Sequence, residues 1–223
     1  VNYNATVTVS PTGEVLANYR KSFLYYTDEK WAAEGNWTPL TTARAEPFFR
    51  GPLGTLGLVG HGICMDINPY AFTAPWTAYE FATAMLKAEV PLVVLSMAWL
   101  TRLSEEELQD AAELPDMATV AYWVERFCPL VESTGEVVVV FANRCGVERG
   151  AVGREDEEDE VVEGDGETAC YAGSSCVMRF RVGKTEMLET SGHEAAIMGK
   201  GEEGVLVVNT EQSTRYVMRR TAT

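Results

Sequence analysis

Cys64 ends residues 57–63, a short apolar, glycine-rich run that reads as a buried strand. A cysteine attacks carbon as its thiolate, so it needs a base to take its proton and a nearby cation to lower its pKa. Lacking both, a buried thiol is inert packing. Only two histidines are present, His61 and His193. His61 lies three residues before Cys64, on the opposite pleat of a regular strand, and reads as a buried, hydrogen-bonded histidine rather than a base. Other chemistries find no support. There is no phosphate-binding G-x-x-x-x-G-K-[ST], and Gly54, Gly57, Gly60 and Gly62 miss the dinucleotide order. Gly173-Ser-Ser-Cys176 is not a serine-hydrolase elbow.

The elements around Cys64 alternate between strand and helix periods. Residues 5–9 and 14–19 flank the turn Ser10-Pro-Thr-Gly13 and form a hairpin. Residues 77–89 carry Phe81, Ala84, Met85 and Ala88 at helical spacing, and Pro91 separates them from a strand over 92–97. Ser104 and Glu107 make a capping box for a polar helix to about Glu113. Asp116 opens a further helix with Met117, Val120, Ala121, Val124, Phe127 and Cys128 on one face. Residues 136–142, 176–182, 186–190 and 205–209 read as strands. Buried strands alternating with helices, with hairpins at both ends, predict an α/β class with a mixed sheet.

Four segments in order resemble the motifs of the nitrilase superfamily of carbon–nitrogen hydrolases. Tyr19-Arg-Lys-Ser-Phe-Leu24, after the hairpin Ser10-Pro-Thr-Gly-Glu14, is similar to that family's lysine motif. Gly60-His-Gly-Ile-Cys-Met-Asp66 is similar to its nucleophile box, Asn143-Arg-Cys-Gly146 to its asparagine–arginine segment, and Gly173-Ser-Ser175 to its late glycine–serine–serine motif. Three further segments, residues 62–70, Ala74-Pro75-Trp76 with Glu80-Phe81, and Met97-Ala-Trp-Leu100, resemble the fungal branch that deamidates N-terminal Asn and Gln of proteins. The resemblance implies a four-layer α-β-β-α sandwich in one domain over residues 1–223, and Glu-Lys-Cys chemistry without metal or cofactor. Cys64 would be the nucleophile, Lys21 the cation at the oxyanion, and the Met65 backbone N–H a second donor there. Glu29, eight residues after Lys21, would support the lysine, with Glu34 its rival. Asp28, Asp66 and Asn143 are candidates for substrate binding. The family's general-base glutamate lies on a strand ahead of the hairpin, so it is expected upstream of Val1 and the fragment alone is expected not to turn over. Two alternatives stay open: an amidase for a small free amide or carbamoyl compound, and a catalytically silent binding relative.

The net charge of −15 argues against nucleic acid and anionic membrane as partners. Nine of the acidic residues fall within 155–167, which predicts a solvated insertion at 154–168. Five cysteines without a C-x-x-C pair fit a reducing, cytoplasmic compartment better than a disulfide framework. The expected partners are protein or peptide N-termini as substrate, with a homo-oligomer as the superfamily resemblance allows.

Overall fold

The computed structural model describes residues 1–35, 47–150, 168–189, 196–212, 214 and 216–218. Two hairpin strands open the chain, β1 (Ala5–Val9) and β2 (Val15–Arg20), followed by β3 (Phe49–Pro52) and β4 (Leu58–Ile63). Helix α1 (Glu80–Lys87) leads to β5 (Leu92–Met97). Helices α2 (Glu105–Asp110), α3 (Met117–Arg126) and α4 (Cys128–Val131) lead to β6 (Val137–Asn143). Short strands β7 (Val147–Glu148) and β8 (Ala169–Cys170) pair with each other, and β9 (Cys176–Arg181), β10 (Lys184–Met187) and β11 (Tyr216–Met218) complete the order.

Seven strands form one mixed sheet in the order β11-β10-β9-β6-β5-β4-β3. Its centre, β4-β5-β6, is parallel, and every other pairing is antiparallel. Parallel neighbours need crossover connections, which the helices supply. The helices cover one face. There Met85, Val120, Trp123 and Phe127 share a core with Val93, Leu95, Val139, Phe141, Met178 and Phe180. The ring of Trp123 stacks on Phe141 at 5.3 Å. Gly60 and Gly62 face these helices because nothing larger fits. A Cβ on Gly62 would lie 2.7 Å from Leu95 and 2.8 Å from the Phe81 ring. On the other face, Ala17 of the hairpin packs with Leu53 and Val59, and Thr8 Oγ1 lies 3.1 Å from His61 Nε2.

The α/β class and the mixed sheet agree with the sequence reading, and β5 spans the residues read for it. The Ser104 capping box forms in full, although α2 ends at Asp110. Three readings differ. Ala121 of α3 is exposed while Trp123 is buried, so the inward face is rotated toward the larger apolar group. Residues 205–209 are not a strand; Tyr216–Met218 supplies the sheet edge instead. Strand β10 begins two residues earlier than expected and ends at Met187. His193 and nearly all of the acidic stretch 154–168 lie outside the described residues.

Candidate active site

The parallel strands β4, β5 and β6 all end at the same edge, the usual place for a site in an α/β sheet. Cys64 follows β4 directly and takes a left-handed φ of 43°, a conformation that non-glycine residues adopt at a cost. It opens a tight 3-10 turn, Cys64–Ile67, closed by the Asn68 N–H on the Met65 carbonyl at 2.9 Å.

Asp66 holds this turn in place. Its Oδ2 accepts from the Ile63 N–H at 2.7 Å and the Tyr19 hydroxyl at 2.8 Å. Its Oδ1 accepts from the Ser22 and Phe23 N–H groups at 3.1 and 2.8 Å. One fully buried carboxylate thus ties the end of β2 to the cysteine turn, which brings Lys21 to Cys64. Burial pushes its pKa up to about 6, although the Ile63, Phe23 and Tyr19 donors and the Lys21 charge pull the other way. With four protein donors and no exposed surface, Asp66 organises the site and has no face left for a substrate.

Lys21 is 3% exposed, and its Nζ sits 2.5 Å from Asp28 Oδ2. Asp28 also accepts from the Tyr25 N–H at 3.1 Å and from Asn4 Nδ2 at 3.2 Å. The residue that orients the lysine is therefore Asp28. Glu29, next in the 3-10 turn Asp28–Lys30, is exposed, and its charge acts on Glu34 and Tyr70. A change of one position in so tight a turn exchanges an inward for an outward side chain.

The thiol of Cys64 has its pKa raised. Burial is the largest cause; Lys21 and a hydrogen bond from the Ala98 N–H lower it, and Asp66 and Asp28 raise it. The cation expected from the sequence is there, yet burial outweighs it, so the resting group is a thiol. It faces a pocket of about 160 Å³ lined by Tyr25, Met65, Asn68, Phe72, Ala98, Trp99 and Leu100. A cavity of roughly 150 Å³ holds a benzene-sized ligand, so this one accepts a single small side chain.

Asn143, at the end of β6, serves the pocket wall. Its Oδ1 accepts from the Trp99 N–H at 2.7 Å, and its Nδ2 donates to the Gly173 carbonyl at 2.9 Å and the Trp99 carbonyl at 3.3 Å. Ser175 Oγ lies 3.0 Å from the Asn143 N–H and 3.1 Å from its carbonyl. Gly173, with φ of 50°, lets the chain approach the backbone of residues 199–200, where a Cβ would collide. The late glycine–serine–serine motif is thus a backbone clasp behind Trp99. Arg126 is a second clasp: from α3 its Nε donates to the Ile67 carbonyl at 2.8 Å, and its guanidinium lies over the rings of Trp76 and Tyr79.

Cys64, Lys21, Asp28, Met65 and Asp66 are therefore brought together, Asn143 stands one layer behind, and Glu29 stands apart. Sequence reasoning passed over Ala98, Trp99, Tyr25, Phe72, Asn68 and Tyr122 as site residues. The first four come from loops and a 3-10 turn whose approach to Cys64 only the tertiary fold sets. Asn68 sits inside the quoted cysteine segment, but its partner is 54 residues away.

The fold that carries this cysteine turn and the buried lysine beside it is similar to that of solved amidases. An amidase from Nesterenkonia sp. AN1 superposes with a TM-score of 0.54 at 19% identity, over 92% of this chain and 56% of that one. An N-terminal amidase crystallised with a Gln-Val peptide superposes with a TM-score of 0.65 at 19% identity, over 89% of this chain and 72% of that one. In sequence the chain is similar to the protein N-terminal amidase of Schizosaccharomyces pombe, 31% identical over 221 residues and 94% of this chain. It is also similar to the protein N-terminal amidase of Saccharomyces cerevisiae, 32% identical over 117 residues, which are 48% of this chain and 25% of that protein. The chain spans 64% of the length of the S. pombe relative. No protein-family model matches.

Proposed function

We propose that the protein is an amidohydrolase that removes the side-chain amide of N-terminal Asn or Gln from peptides and proteins and releases ammonia. The observation that carries this is the strained Cys64 at the base of a small pocket, with the Lys21–Asp28 pair beside it. The 31% identity to the S. pombe protein N-terminal amidase supports the substrate class.

In this reading the Cys64 thiol gives up its proton as Sγ bonds to the carboxamide carbon. Charge that develops on the carboxamide oxygen meets the Lys21 ammonium and the Met65 N–H, donors fixed before the reaction starts. The carbon–nitrogen bond then breaks, the nitrogen takes a proton and leaves as ammonia, and water hydrolyses the thioester to give N-terminal Asp or Glu. The raised thiol pKa makes a base necessary. Of the described carboxylates that act on Cys64, Asp28 holds Lys21 and Asp66 holds four donors. The base in this reading is the glutamate that the superfamily resemblance implies on a strand ahead of β1. Asp28 rather than Glu29 orients the lysine, and Asp66 and Asn143 position the site instead of binding substrate.

The four-layer sandwich, the single domain and the surface insertion at 154–168 belong to the same proposal, as does a homo-oligomer. So does a cytoplasmic location, which five cysteines outside any disulfide support. Among the described residues no helix is long and apolar enough to cross a membrane. The test is ammonia release from peptides with N-terminal Asn, N-terminal Gln, the same residues acetylated, and internal Asn. Release from the first two alone supports the reading. Equal release after acetylation moves the function to a general small-amide hydrolase.

A further inference from the structure

Asn68 is the polar side chain of the pocket wall that the chemistry above does not use. It is 3% exposed and lines the pocket beside Cys64. Its orientation is set from two sides. The Tyr122 hydroxyl donates to Oδ1 at 2.5 Å, and Nδ2 lies 3.2 Å from Met65 Sδ. A thioether has no proton to donate, so only the NH2 end of the amide can face it. The Tyr122 ring is held between Trp76 and Trp99, with centroids at 5.2 and 5.3 Å. Burial raises its pKa, which keeps the hydroxyl a donor.

One amide N–H is thereby spent on a weak sulfur acceptor. The other has no acceptor among the described residues, and the space Asn68 borders is a pocket lined as well by Tyr25, Cys64, Met65, Phe72, Ala98, Trp99 and Leu100. A buried N–H left without a partner is unfavourable, so its partner arrives with the ligand. An amide presenting N–H cannot take an ammonium, which is also only a donor. It takes an oxygen.

Resting on the amidase reading, we propose that Asn68 is a specificity-determining residue. Anchored by Tyr122, it donates a hydrogen bond to the backbone carbonyl oxygen of the substrate's N-terminal residue. The site then reads two oxygens at once, the carboxamide oxygen at Lys21 and the first peptide carbonyl at Asn68. A free small amide lacks the second.

The test uses the intact protein carrying Cys64→Ser, so that ligands bind without turnover, and calorimetry of two ligands. One is a Gln-Val peptide; in the other a trans-alkene replaces the peptide bond and removes its carbonyl. The carbonyl ligand is expected to bind roughly tenfold more tightly, the worth of one well-placed hydrogen bond. Asn68→Ala should erase that difference and leave the alkene ligand unchanged. Asn68→Asp, which turns the donor into an acceptor, should weaken the carbonyl ligand further. Tyr122→Phe should reduce the same preference in part, which keeps the test available if an Asn68 variant does not fold. Equal loss of both ligands in Asn68→Ala, or no preference for the carbonyl in the Cys64→Ser protein, overturns the assignment while the amidase reading stands. Failure of the Cys64→Ser protein to bind either ligand removes both.

Discussion

Asp28→Asn keeps the size of the side chain and removes its charge from beside Lys21. The two groups sit 2.5 Å apart, and Lys21 is almost wholly buried. Opposite charges 4 Å apart attract by about 4 kcal/mol at an effective dielectric of 20, and by more at closer range. Part of that attraction is cancelled by the desolvation both groups have undergone. Breaking one side of a buried pair typically costs about 3–5 kcal/mol, because the remaining charge is stranded. The stranded ammonium either swings toward water or gives up its proton, since an apolar surrounding favours its neutral form. Both outcomes remove the cation from the oxyanion, where one such group is worth about 10²–10³ in turnover. Urea unfolding should therefore show a loss of about 3 kcal/mol or more. Ammonia release from an N-terminal Gln peptide should fall at least 100-fold in kcat. Glu29→Gln is the control: an exposed carboxylate one residue on should change stability by less than about 0.5 kcal/mol. Near-normal turnover in Asp28→Asn together with a large loss in Glu29→Gln would refute the geometry assigned to the lysine.

Three further outcomes follow from the same packing and charges. Because burial raises the Cys64 pKa against the pull of Lys21 and Ala98, its alkylation by iodoacetamide should climb through a midpoint above that of a free cysteine. Lys21→Met should move that midpoint higher still; a midpoint below the ordinary thiol value contradicts the balance. Gly62→Ala places a methyl against Leu95 and the Phe81 ring, and should cost about 1–3 kcal/mol on thermal unfolding, whereas a neutral result means α1 can shift. Replacing residues 154–168 with a short Gly-Ser link should leave melting temperature and activity nearly unchanged, since a run of like charges has little apolar surface to dock; a large loss of either refutes the insertion.

The elements whose physics is local were legible in the sequence. Pro91 and the apolar run at residues 92–95 define β5, and Ser104 with Glu107 defines the start of α2. His61 is the buried, hydrogen-bonded histidine its pleat position implied. Long-range choices were not legible. Whether Asp28 or Glu29 turns inward in a three-residue turn depends on where Lys21 arrives, and that depends on Asp66, 45 residues downstream of the lysine. The motif residues Asp66 and Asn143 stood out as polar groups near the chemistry, yet apart from the Tyr19 hydroxyl on Asp66 their hydrogen bonds go to backbone, which residue type alone does not reveal. Residues 205–209 are apolar and β-branched like a strand, but strand identity needs a partner, and Thr185–Met187 pairs with Tyr216–Met218.

The central claim is that Cys64 becomes covalently acylated by the side chain of an N-terminal Asn or Gln. The direct measurement is acid-quenched mass spectrometry of the intact protein mixed with an N-terminal Gln peptide, followed by mapping of the adduct. The expected result is a species heavier by the peptide minus ammonia, carried on Cys64, absent with the acetylated peptide and absent in Cys64→Ala. Ammonia release that persists in Cys64→Ala, or an adduct mapped to Cys128, Cys145, Cys170 or Cys176, would contradict it.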